Sequence, residues 1–100
     1  MASYRILYAG DDATLPWLLK DPLKRLDCFL VRAPVLLART FIQSNIEYAL
    51  LLFDDTAAGA ELERFTRTLK HREQTPVIIV KESGDSGRLL NAIRRRLGTN

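Results

Sequence analysis

Ala49-Leu50-Leu51-Leu52-Phe53-Asp54-Asp55 decides the reading of this chain: five apolar residues run without a break and end on two adjacent carboxylates. A continuous apolar run with helix-like sequence on both sides is the pattern of a strand buried on both faces. In open α/β sheets, ligands gather beyond the carboxyl ends of the strands. Asp54 and Asp55 therefore stand where such a fold carries its chemistry.

Upstream of this run, Pro34 opens a helical pattern with Leu37, Ala38, Phe41 and Ile42 as its apolar stripe, and Asn45 is positioned to end it. Before that, Asp27 to Val31 forms a second strand candidate, and Tyr4 to Gly10 a third that ends on another acidic pair, Asp11-Asp12. Between these two lies a helix capped by Asp12 or Thr14, with Pro16 in its first turn. Leu15, Leu18, Leu19, Leu23 and Leu26 mark its buried side, Pro22 kinks or ends it, and Trp17 falls off the stripe.

Downstream, Thr56 to Gly59 reads as a short loop. A helix follows with Leu62, Phe65 and Leu69 on one face and His71 as a solvated residue at its end. Thr75 to Lys81 is the last strand, with Pro76 at its start. After the loop Glu82 to Gly87, a final helix places Leu89, Leu90, Ile93 and Leu97 inward and stops at Gly98. The order βαβαβαβα predicts a parallel sheet covered by helices.

One hundred residues, 47% hydrophobic and 27% charged, predict a single folded, water-soluble domain over residues 1–100. No apolar run approaches the roughly 20 residues that span a bilayer, so no membrane role is expected. The N-terminal residues lack the layout of a signal peptide, and a cytoplasmic location follows as the default. Cys28 is the only cysteine, which excludes an internal disulfide and predicts a buried, inert thiol. The net charge is +3, with Arg88, Arg94, Arg95 and Arg96 near the end. Cations in the last turn complement the helix dipole. A nucleic-acid patch on this helix is the weaker reading.

The first and third strands both deliver carboxylates to their C-terminal ends. If the strands are neighbours, Asp11, Asp12, Asp54 and Asp55 converge. Such a cluster can hold Mg²⁺, which takes one or two carboxylates together with waters and phosphate oxygens. Helix capping is the competing explanation, since Asp-Asp-X-Thr at a helix start needs no metal. No Walker-type phosphate loop, dinucleotide glycine motif, nucleophile elbow or zinc-protease motif is present. The chain is accordingly not expected to be an enzyme.

These residues together resemble the receiver domain of bacterial two-component response regulators, a flavodoxin-like fold. Ile6 to Asp12 is similar to the family's first strand and acidic pair, Leu50 to Asp54 to its third strand and phospho-accepting aspartate, and Thr75 to Val80 to its Pro-led fourth strand. The resemblance implies a shortened, three-layer α/β sandwich with a four-stranded parallel sheet in the order 2-1-3-4. It implies Asp11, Asp12 and Asp54 as Mg²⁺ ligands and Asp54 as phospho-acceptor, though the family's acceptor position aligns with Phe53, Asp54 or Asp55. Lys81 stands at the family's Ser/Thr switch position or at its lysine position. A histidine kinase or phosphotransfer protein is the implied donor in a phosphorelay.

The departures point the other way. Gly10 replaces the first acid of the pair, the fourth strand ends in Lys81-Glu82, and the chain is about one βα unit short. The leading expectation is a receiver-like signal-transduction module. The alternative is a phosphorylation-independent pseudo-receiver that serves as an interaction or dimerisation module. With one unit missing, the fourth strand becomes an apolar edge, which predicts a homodimer through that strand and the last helix.

Overall fold

The computed structural model describes residues 4–59, 61–80 and 86–98. Among these residues four strands are present: β1 (Tyr4–Ala9), β2 (Cys28–Ala33), β3 (Leu50–Phe53) and β4 (Val77–Ile79). Five helices accompany them: α1 (Thr14–Arg25), α2 (Val35–Gln43), α3 (Asp55–Gly59), α4 (Leu62–Arg67) and α5 (Ser86–Leu97). A single 3₁₀ turn, Lys70–Arg72, precedes β4.

The sheet is entirely parallel, in the order β2-β1-β3-β4. Helices cover both faces, and the architecture is a shortened flavodoxin-like α/β sandwich. Side-chain alternation along the strands divides the core in two. Ile6, Tyr8, Leu50 and Leu52 pack with Leu15, Leu19 and Leu23 of α1 and with Leu89 and Ile93 of α5. Leu7, Ala9, Leu51 and Phe53 pack with Ala38 and Ile42 of α2, Ala57 of α3 and Leu62 of α4.

The apolar run behaves as its sequence predicts. Leu50, Leu51, Leu52 and Phe53 are fully buried, and each contributes roughly 1.5–3 kcal/mol relative to an exposed position. As the inner neighbour of β1, β3 has no solvent face, which explains why its hydrophobicity is continuous rather than alternating.

Several local expectations are corrected. Pro22 does not end α1, which continues to Arg25. Leu18 and Leu37 are partly exposed rather than on the buried stripes. The expected loop Thr56 to Gly59 lies within a short helix, because Asp54 caps its first turn. β2 runs on to Ala33, two residues beyond Val31, because it stays in register with β1 up to the pair Ala9 and Ala33. α2 ends at Gln43, and its C-cap is Ser44 rather than Asn45. β4 spans only Val77–Ile79, and all three residues are half-buried. Lys81 and the loop residues Glu82 to Asp85 lie outside the described residues.

Candidate functional site

The carboxyl ends of β1 and β3 lie side by side, so Gly10 to Asp12 and Asp54 meet at one edge of the sandwich. Asp54 is buried there, with about 8% of its surface exposed. Both its oxygens accept hydrogen bonds. Oδ1 takes the backbone N–H of Ala57 at 2.8 Å, the geometry of an N-cap on α3. Oδ2 takes the N–H of Asp11 at 3.0 Å, the hydroxyl of Tyr8 at 3.2 Å and, more weakly, the N–H of Asp12 at 3.4 Å. One carboxylate thus starts α3 and fastens the β1–α1 loop to the end of β3.

Gly10 is part of this arrangement. A Cβ at that position would overlap the Asp54 carboxylate. The loop can close over Asp54 only because the residue has no side chain. The departure at Gly10 thereby becomes a packing requirement.

The acidic pair is likewise engaged. Asp12 Oδ1 accepts the N–H of Thr14 at 2.8 Å, at the start of α1. Asp11 Oδ1 accepts the N–H of Val35 at 3.3 Å, at the start of α2, where Pro34 offers no side-chain cap. Three carboxylates therefore serve three helix N-termini that converge at one end of the sheet. Each satisfies a donor that the helix itself leaves unpaired. Each also places negative charge against the positive end of a helix dipole. Asp55 is exposed in the first turn of α3.

This arrangement bears on Mg²⁺. Among the described residues, no group of three or more His, Cys, Asp or Glu side chains lies together as a ligand set. Of the Asp54 oxygens, Oδ2 already faces three donors and Oδ1 one. Lys81 lies outside the described residues.

Tyr8 completes the network. Its phenol is held well above its ordinary range, first by burial and then by the adjacent Asp54 carboxylate. It remains a neutral donor to Asp54 at any physiological pH. Cys28 is buried and its thiol is pushed up by burial, with Asp27 adding to the effect. That is the environment of an inert thiol.

A second polar hub went unrecognised in the sequence. Arg72 is only 2% exposed. Its Nε donates to the carbonyl of Ile42 at 2.7 Å, and Nη2 donates to the carbonyls of Ser44 at 2.9 Å and Ile46 at 2.6 Å. The guanidinium lies 4.8 Å from the centroid of Tyr48. It closes the C-terminal end of α2, where carbonyls lack helical partners. His71 Nε2 lies 3.1 Å from the Ser44 carbonyl. The histidine complements the end of α2 rather than that of its own segment. Nothing in the local sequence of Lys70-His71-Arg72-Glu73 distinguishes Arg72, since its acceptors are all more than 25 residues away.

Compared with known proteins, the chain matches no family model, and no curated protein and no solved structure matches it.

Proposed function

We propose that this chain is a receiver-like signalling module that acts by contact with other proteins, with Asp54 serving as the hub that holds its helix ends together. One observation carries the reading: the four donors gathered on the Asp54 carboxylate. An aspartate that attacks a phosphoryl donor needs a lone pair free to reach phosphorus. Here the carboxylate oxygens point at backbone N–H groups and a phenol. Releasing them would leave the buried Tyr8 hydroxyl and Ala57 amide without a partner. The receiver-like element order and sheet order support the scaffold half of the reading.

The chain's self-association belongs to the same proposal. β4 is a sheet edge with half-buried Val77, Ile78 and Ile79. Pairing through β4 and α5 would cover it in a two-fold dimer.

A second reading has one observation in its favour. Asp54 occupies the carboxyl end of the central β3, beside Asp11 and Asp12, the position from which a receiver aspartate would accept a phosphoryl group with Mg²⁺. A titration with Mg²⁺, followed by the backbone amide resonances, separates the two. The contact-module reading predicts that the amides of Asp11, Asp12 and Ala57 hold their positions. Saturable shifts confined to these amides would favour the phosphoryl-accepting reading.

A further inference from the structure

The other edge of the sheet, β2, has a different character from β4. In a parallel pair, the N–H and C=O of one residue point to the same side. The carbonyls of Asp27 and Ala33 accept from Tyr4 and Gly10, so the odd-numbered positions of β2 face β1. The main-chain groups of Cys28, Leu30 and Arg32 therefore face outward, and no other described strand pairs with them.

A groove of about 580 Å³ runs along this edge between β2 and α1. Two exposed aromatic rings flank it: Trp17 of α1, 77% exposed, and Phe29 of β2, 64% exposed, whose side chain lies on the α2 face of the sheet with Val31 and Ala33. The groove's charged side carries Lys20, Lys24 and Arg32, and among the described residues no carboxylate lines it.

We propose that this groove binds an extended acidic peptide segment of a protein partner, which adds to β2 as a fifth strand. Outward main-chain groups supply the strand-to-strand hydrogen bonds. Alternate side chains of an added strand turn to the α1 side, where an acidic residue meets Lys20, Lys24 and Arg32. Phe29 takes the apolar residues that turn to the opposite face, and Trp17 packs against the segment beside the cations, as interface aromatics do.

A second copy of this chain fits the groove poorly. Two-fold pairing of β2 with β2 would bring the same three cations face to face. A single-stranded nucleic acid would use the cations and the rings but leave the strand edge unpaired. The proposal rests on the contact-module reading of the chain, but its test reads the groove alone. Failure here leaves the account of Asp54 standing, and phosphorylation at Asp54 would leave the groove result unaffected.

Trp17 is the only tryptophan, so its emission reports directly on the groove. The probe is the blocked peptide Glu-Val-Glu-Val-Glu-Val, whose length matches the six residues of β2. Saturable change in Trp17 emission is expected, with Kd below about 1 mM, together with amide shifts along Cys28 to Arg32. The surface variant Lys20→Glu/Lys24→Glu, with an otherwise unchanged amide spectrum, is expected to bind at least about tenfold more weakly. Four results overturn the proposal. They are no response at about 1 mM peptide, equal response to Lys-Val-Lys-Val-Lys-Val, displacement of the peptide by an oligothymidylate at lower concentration, and concentration-dependent burial of Trp17 in peptide-free protein.

Discussion

Replacing Asp54 by alanine or by asparagine separates a structural carboxylate from one held in a repelling acidic cluster, because the two accounts predict opposite signs. The structural account starts from two short bonds, 2.8 Å from Ala57 and 3.0 Å from Asp11, and two longer ones from Tyr8 and Asp12. Hydrogen bonds to a charged group contribute about 1.5–3 kcal/mol each, and an orphaned buried donor costs a similar amount. The Asp11 amide is only part-buried and water can replace its partner. Asp54→Ala is therefore expected to cost about 2–4 kcal/mol, or a drop of roughly 10–25 °C in Tm for a domain of this size. Asp54→Asn keeps one oxygen for the three donors on Oδ2 but turns an amide N–H toward the N–H of Ala57. Its expected cost is about 1–2 kcal/mol. Were Asp54 instead crowded by the charges of Asp11, Asp12 and Asp55, neutralising it would relieve repulsion and stabilise the protein. Urea denaturation followed by far-UV circular dichroism measures the difference. Trp17 is too exposed to report on unfolding. Stabilisation by Asp54→Asn would refute the reasoning. A companion substitution, Gly10→Ala, forces a Cβ into the Asp54 carboxylate and should cost about 1–3 kcal/mol. Much of that cost should vanish in the Asp54→Ala background, because the two residues are in direct contact.

Three further outcomes follow from the same contacts. Arg72→Lys should destabilise by about 2–3 kcal/mol in chemical denaturation, because one ammonium cannot serve the carbonyls of Ile42, Ser44 and Ile46 together; a neutral result would mean that water satisfies these carbonyls. Tyr8 has its folded pKa raised by burial and by Asp54, so its contribution to stability is fully present below the unfolded value near pH 10 and is lost as pH rises through the folded one. Wild type should lose stability relative to Tyr8→Phe above about pH 10; parallel pH profiles would count against the Tyr8–Asp54 bond. Sedimentation should show a dimer at high micromolar concentration that Ile78→Lys at the β4 edge dissociates; a monomer throughout removes the dimer from the proposal.

The fold was legible where periodicity and burial agree. Leu50 to Phe53 has no solvent-facing residue in either sequence or structure, and the inward positions of α5 are those its spacing marks. Helix starts were harder to read. Asp12 before Thr14 carries a visible capping pattern. Asp54 caps α3 through the N–H three residues on, but Thr56-Ala57-Ala58-Gly59 lacks the apolar stripe that signals a helix. Asp11 caps α2 across 24 residues of sequence, which only the pairing of β1 with β2 makes possible. The acidic residues were legible as a group, with helix capping and a metal cluster as the two readings open to the sequence. A metal cluster and a set of caps use the same residue type at the same end of a parallel sheet. What distinguishes them is which donors face each oxygen, a property of the assembled loops. Arg72 was illegible for a similar reason: its three acceptors come from the far end of α2 and the turn beyond it.

In the proposed contact module, Asp54 is committed to holding helix ends and loops rather than to accepting a phosphoryl group. The decisive experiment is intact-mass analysis of the folded protein after incubation with acetyl phosphate and Mg²⁺. An unchanged mass is expected for the wild type and for Asp54→Asn alike. A phosphoryl addition to the wild type that disappears in Asp54→Asn would assign Asp54 the acceptor role instead.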